Sequence, residues 1–171
     1  MIEVREAGVG DAEQMARVNA AGWTEGYRGI VPDERLDHLP VADWERQMRA
    51  GLREPRLDAF TRIAELGGEL AGYCFVAAPG REEPDDSPIA ELVAMYVYKR
   101  FWRRGVGRAL IERALEHVGS LGRYEEVFLW TFEENARAIA FYREFGFEPD
   151  GARKPFVPIG TPTIRMVRQL P

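Results

Sequence analysis

The chain has 171 residues, 46% hydrophobic and 30% charged, a length and balance that allow one full core and exclude disorder throughout. Acids outnumber Lys and Arg by 28 to 23, a formal net charge of −5 that argues against a protein living on nucleic acid. A single cysteine, Cys74, excludes a disulfide framework or multi-cysteine metal site; no apolar run approaches the roughly 18 residues a membrane span needs, and the opening MIEVREAGVG is no signal peptide, so a cytoplasmic, single-domain protein over 1–171 is expected.

Ile2-Glu3-Val4-Arg5 alternates and reads as an opening strand. Asp11, with Gln14 three residues on, reads as the N-cap of a helix whose Met15, Val18, Asn19 and Trp23 share a face. Gly22, Gly26, Gly29 and Pro32 interrupt the stretch beyond it, and a second helical stretch covers 41–52. Strands over 59–66 and 70–78 join at Gly67-Gly68, a dipeptide suited to a tight hairpin because both residues tolerate positive φ. Residues 79–88, PGREEPDDSP, read as a solvated loop. The run from Ile89 to Tyr98 is too continuously apolar for a sheet edge and is expected at the centre.

A Gly-rich turn leads into a helix over 106–118 whose Val106, Leu110, Ala114 and Val118 repeat every four, with Ile111 and Leu115 widening the stripe. Val127 to Thr131 is another buried strand, and Asn135 caps a helix ending near Gly146. A loop holding Pro155, Pro158, Gly160 and Pro162 precedes a last alternating strand over 163–170. The order describes an α/β (α+β) fold, a mixed central sheet of about six to seven strands with helices on both faces and some parallel pairing.

The strongest local feature is Arg103-Arg104-Gly105-Val106-Gly107-Arg108, set between a buried strand and a helix. Glycines let a backbone approach a ligand, amide N–H groups and the helix dipole favour an anion, and arginines suit a di-anion such as a pyrophosphate. Taken alone, the segment reads equally well as a tight turn with solvated arginines. Neither the Walker A string nor the third small residue of the dinucleotide fingerprint is present, since position 110 is Leu110.

The ordered set ELVAMYV, RRGVGRAL and VFLWTFEENARAIAFYREFGF resembles the acyl-CoA-binding core of the GNAT superfamily of N-acetyltransferases. That family has a central strand, a Gln/Arg-x-x-Gly-x-Gly/Ala turn into a helix, a second strand, and a helix with an early Asn and an aromatic–Tyr pair before Gly-Phe. The likeness is close over about residues 89–148 and looser over the first 60. Trp102 stands where the family carries its Gln or Arg, with Arg103 and Arg104 offering charge from adjacent positions. The resemblance implies a GNAT-like fold with acetyl-CoA as acyl donor. Backbone groups of Met95, Tyr96 and Val97 would pair with the pantetheine arm, and the amides of Arg103, Arg104, Gly105, Val106, Gly107 and Arg108 would hold the pyrophosphate. Asn135 would bond the pantetheine region or the strand beside it, Tyr142 would stand near the thioester sulfur, and family habit suggests a homodimer.

Acetyl transfer to an amine needs a base for the ammonium, donors for the tetrahedral oxyanion and an acid for the departing thiolate. Tyr142 is the candidate acid, although by itself it reads as a core aromatic beside Phe141 and Phe145. Glu91, directly or through water, is the candidate base and stands where family members with a glutamate base carry theirs. A carboxylate among apolar neighbours would titrate high, and the alternatives are a strand-end glutamate reaching solvent or a water chain, as in much of the family. The acceptor would lie between the first two helices and the last loop, with Trp23, Tyr27 and Trp44 as candidate walls. Asp33, Glu34, Asp37 and the acidic 82–86 loop would favour a cationic amine. The expected acceptor is a small primary amine such as a polyamine, amino acid or amine-bearing antibiotic. The alternatives are a protein N-terminus or lysine, or a non-catalytic acyl-CoA-binding domain. His38 and His117 lack metal-ligand partners at usual spacing, so no metal is expected, and Ser87 and Ser120 lie outside any Gly-x-Ser-x-Gly.

Overall fold

In the computed structural model, which describes residues 1–171, the chain runs β1 (Ile2–Glu6), α1 (Ala12–Gly26), α2 (Asp33–Leu36), α3 (Val41–Arg53), β2 (Phe60–Leu66), β3 (Glu69–Ala77), β4 (Ile89–Val97), α4 (Val106–Ser120), β5 (Glu126–Phe132), α5 (Ala136–Arg143), β6 (Glu148–Phe156) and β7 (Thr161–Gln169). The strands form one seven-stranded sheet in the order β1-β2-β3-β4-β5-β7-β6, with β4 at its centre. Every neighbouring pair is antiparallel except β4 and β5. Two strand–helix–strand crossings thus yield one parallel pairing, because β7 inserts between β5 and β6.

Strand alternation sorts the two faces of the sheet. On one side Ile63 and Tyr73 pack with Met15 and Val18 of α1. On the other, their neighbours Ala64 and Cys74 pack with Leu110 and Ala114 of α4. Gly67 and Gly68 adopt φ of 67° and 81° at the β2–β3 turn, as the hairpin requires. No helix is long and apolar enough to cross a membrane.

Three local expectations are corrected. Asp11 does not cap α1 through its side chain; it closes a 3-10 turn, accepting from Gly8 N–H at 2.7 Å and pairing with the Arg5 guanidinium at 2.8 Å. The short α2 lies in the Gly/Pro-interrupted stretch. Between the last helix and the Pro/Gly-rich loop, where the sequence predicts no strand, lies β6, an edge strand that reaches Phe156 and tolerates Pro149 and Pro155 because one side of its ladder faces outward.

What positions the site is the separation of the two central strands. The β4–β5 ladder pairs Ile89 with Glu126, Ala90 with Val127 and Glu91 with Phe128, then stops. Val93 is an extra residue against β3, where Phe75 pairs with Ala94 and Val76 with Leu92, and such a bulge bends the strand that carries it. From Leu92 onward β4 diverges, while β5 stays paired with β7 through Phe132.

Candidate active site

The divergence opens a cleft of about 950 Å³ between β4 and β5, floored by α4 and α5. Tyr98 N–H donates to Ala71 O on β3 at 3.0 Å, and antiparallel alternation then turns the backbone groups of Tyr96 and Ala94 to β3 as well. Met95 and Val97 are left facing the cleft. The alternation therefore divides the expected trio, with Tyr96 contributing its ring rather than its backbone. Trp102 adds a detail that the residue type alone did not foretell: its indole Nε1–H donates to Val97 O at 2.8 Å, so Val97 offers the cleft its N–H. The Arg137 guanidinium, on α5, stacks 3.4 Å from the Trp102 ring centroid.

At the cleft's end the chain turns into α4. Gly105 takes φ 85° at the N-cap and Arg103 takes φ 59°, left-handed values that favour glycine at the first of these. Helical bonding begins with Ala109 N–H donating to Gly105 O at 2.9 Å. Arg103, Arg104, Gly105, Val106, Gly107 and Arg108 donate to no backbone carbonyl, which leaves their N–H groups at the positive end of α4. Val106 is buried in the core, while the arginine side chains are exposed at the cleft mouth: Arg108 pairs with Glu112 and Glu144, and Arg104 lies over the Phe101 ring.

Asn135 is the side-chain cap of α5, its Oδ1 accepting from Ala138 N–H at 3.2 Å, and Tyr142 lies two turns on along the same helix. Both line the cleft. The Tyr142 ring packs edge-on against Phe141 and Phe147, and burial pushes its hydroxyl well above the ordinary phenol range.

A second cavity, about 360 Å³, adjoins the first and shares Tyr27, Val93, Tyr96, Trp130 and Thr131 with it. Trp23 and Tyr27 line it, whereas Trp44 packs behind Trp23 at 5.8 Å. Tyr27 and Tyr96 meet hydroxyl to hydroxyl at 3.4 Å where the cavities join, and burial raises both phenols. Glu91 is buried at 3% exposure in this second cavity. The isolated carboxylate expected from its apolar strand is not found. Glu91 Oε2 accepts from Arg81 N–H and Nε, both at 3.0 Å, and Oε1 accepts from Arg81 Nη2 at 2.7 Å.

Other members of this cavity lacked a signal in the sequence. Arg81 lies within the stretch read as a solvated loop, and Lys154, Phe156 and Thr163 come from the β6–β7 hairpin, whose first strand was obscured by prolines. The acids expected to attract an amine are mostly elsewhere. Asp33 and Asp37 pair with Arg28 at the surface, and of the acidic loop only Glu82 lines the cavity, bonded to Lys154 Nζ at 3.2 Å. Cys74 is buried with its thiol pushed up to about 12, in keeping with a small core residue.

A model of the Acetyltransferase (GNAT) family matches residues 21–147. Over 99% of this chain and 98% of its own length, an uncharacterized N-acetyltransferase, YuaI of Bacillus subtilis, is 27% identical. An L-amino acid N-acetyltransferase of Escherichia coli, AaaT, is 26% identical over 91% of this chain and 88% of its own. Among solved structures, a PaiA N-acetyltransferase from Thermoplasma acidophilum in complex with coenzyme A superimposes with a TM-score of 0.79 at 19% identity, covering 99% of both chains.

Proposed function

The chain belongs to the GNAT acetyltransferase family and is an N-acetyltransferase, and on that premise we propose that it moves the acetyl group of acetyl-CoA to a primary amine of a small molecule. The observation that carries this reading is the split between β4 and β5, which leaves the Met95 backbone and the Val97 N–H without a strand partner along one wall and the free amides of 103–108 at its end. An extended pantetheine arm fits the first, and a pyrophosphate fits the second. Asn135 and Tyr142 complete the opposite wall. The name of the Escherichia coli relative, which gives amino acids as acceptors, supports the small-molecule half.

The acceptor enters from the aromatic cavity and meets the thioester where the cavities join. An aliphatic ammonium with a pKa near about 10.4 must first lose a proton. Glu91 takes it through water, since three of the roughly four lone-pair sites of its carboxylate are held by Arg81 and one on Oε1 remains. Nitrogen then bonds the thioester carbon, and a β4 N–H facing the cleft stabilises the oxyanion. As the C–S bond breaks, Tyr142 gives its proton to the thiolate and is reprotonated by the second amine proton. The products are the acetamide, the CoA thiol and one released proton.

The test is a thermal-shift titration with acetyl-CoA, coenzyme A and ATP. Ligand at a hundredfold excess over Kd stabilises by about 2.7 kcal/mol, a Tm rise of roughly 5–10 °C for this size. Acetyl-CoA and coenzyme A should produce it and ATP should not; no shift with either CoA species would overturn the reading.

A further inference from the structure

The charges of the aromatic cavity identify the kind of amine it accepts, given the transfer reaction proposed above. Its two carboxylates, Glu91 and Glu82, are each answered by a cation of the same wall, Arg81 and Lys154 respectively. No acid of this cavity is left without a cation to hold an additional ammonium, as a polyamine would require. The cations, in contrast, have capacity to spare. Arg81 forks Nε and Nη2 onto Glu91, which leaves Nη1 without a partner, and its side chain is 54% exposed. Lys154 Nζ sits 4.4 Å from the Trp130 ring centroid, so the wall that carries it is part aromatic and part cationic.

The rest of the cavity is apolar. Trp23, Phe132 and Phe156 form one cluster with ring centroids 5.5 to 6.2 Å apart, and Tyr27 packs edge-on at 4.8 Å from Phe132. At the rim, Phe156 is 37% and Val157 77% exposed, large apolar surface that the fold itself does not cover.

We infer that the acceptor is a zwitterionic amino acid with an apolar, aromatic-sized side chain. Its carboxylate lies on the free edge of Arg81 and on Lys154, its side chain lies in the Trp23–Phe132–Phe156 box, and its amine is directed to the junction at Tyr96. Arg81 thereby serves twice, holding Glu91 and orienting the substrate.

The experiment compares coenzyme A release with L-phenylalanine, L-phenylalaninamide, phenethylamine and spermidine, alongside a thermal shift with acetyl-CoA. L-phenylalanine should show a KM about tenfold or more below the amide and phenethylamine, the scale of a lost charge-assisted contact, with spermidine the poorest. In Lys154→Met the gap between acid and amide should narrow, while the acetyl-CoA shift persists. Equal or better kcat/KM for phenethylamine or spermidine would overturn the inference. So would a preference for the amide, which would point to a peptide N-terminus. A normal acetyl-CoA shift with no turnover of any of the four would refute the acceptor class alone. Absence of the shift itself would remove the acetyltransfer reading on which the inference rests.

Discussion

The two cavities that meet at Tyr27 and Tyr96 are made of different material. The β4–β5 cleft presents backbone: the inward-facing groups of Met95 and Val97 and the unpaired amides of 103–108. The aromatic cavity presents side chains gathered from the end of α1, the loop after β3, β4, β5 and the β6–β7 hairpin. A backbone cradle depends on φ, ψ and strand register and is tolerant of side-chain change. A side-chain box depends on each residue's identity and, at residues it does not share, such as Lys154 and Phe156, can be re-cut without touching the other cavity. One cavity is therefore suited to an invariant ligand and the other to a variable one.

Tyr142 lines the cleft, and its removal should have the largest effect. Tyr142→Phe should lower kcat by about a hundredfold, the usual scale for a general acid, with acetyl-CoA affinity nearly unchanged. Unaltered kcat in stopped-flow or steady-state assays would free Tyr142 of that role. The pH profile sharpens the point. Burial raises the Tyr142 phenol, so the acid stays protonated to above pH about 10 while a rising pH deprotonates the amine. The rate should climb through pH 9 without a downturn, and in the Phe variant the climb should remain at a lower level.

Next in size is the cradle. Gly105→Ala puts a side chain at φ 85° with its Cβ 3.3 Å from Ile2 Cδ1, a left-handed cost of about 1–2 kcal/mol that should weaken acetyl-CoA binding roughly tenfold by calorimetry. Arg103→Ala, which keeps the amide and removes only an exposed charge, should cost no more than about fivefold. The reverse order would mean that side chains and not amides hold the anion. On the acceptor side, Phe156→Ala should raise the amine KM severalfold and leave the acetyl-CoA Kd alone; a change in both would end the independence of the two cavities. The smallest effect belongs to Asn135→Ala. Loss of the α5 cap should cost about 1 kcal/mol and lower Tm by about 2–4 °C in calorimetry.

The same contrast explains what the sequence disclosed. A backbone cradle leaves a local trace, because Gly105 and Gly107 must sit next to the turn they shape, and the apolar run from Ile89 announces the strand before it. Trp23 and Tyr27 were legible as candidates because aromatics at and just after the end of the first helix face the space between the first two helices and the last loop, although Trp44, a candidate on the same ground, packs behind Trp23. Arg81 was hidden in a Pro- and acid-rich stretch, ten residues from the Glu91 it grips, because nothing in its neighbourhood distinguishes a guanidinium that folds inward from one that is solvated. Lys154 and Phe156 were hidden by Pro149 and Pro155, which make an edge strand resemble a loop. The separation of β4 from β5 was not legible at all. It comes from a one-residue bulge at Val93 and from β7 holding β5 in place, and neither is a property of composition or period.

Amide hydrogen exchange with and without acetyl-CoA tests most directly whether the cofactor lies in the split between the central strands. The N–H groups of Val97 and of residues 103–108, which have no backbone acceptor on the cleft side, should slow markedly on binding, while those of α3 and the β6–β7 hairpin should not change. Protection confined to the aromatic cavity, or binding that leaves 97 and 103–108 exchanging as before, would contradict it.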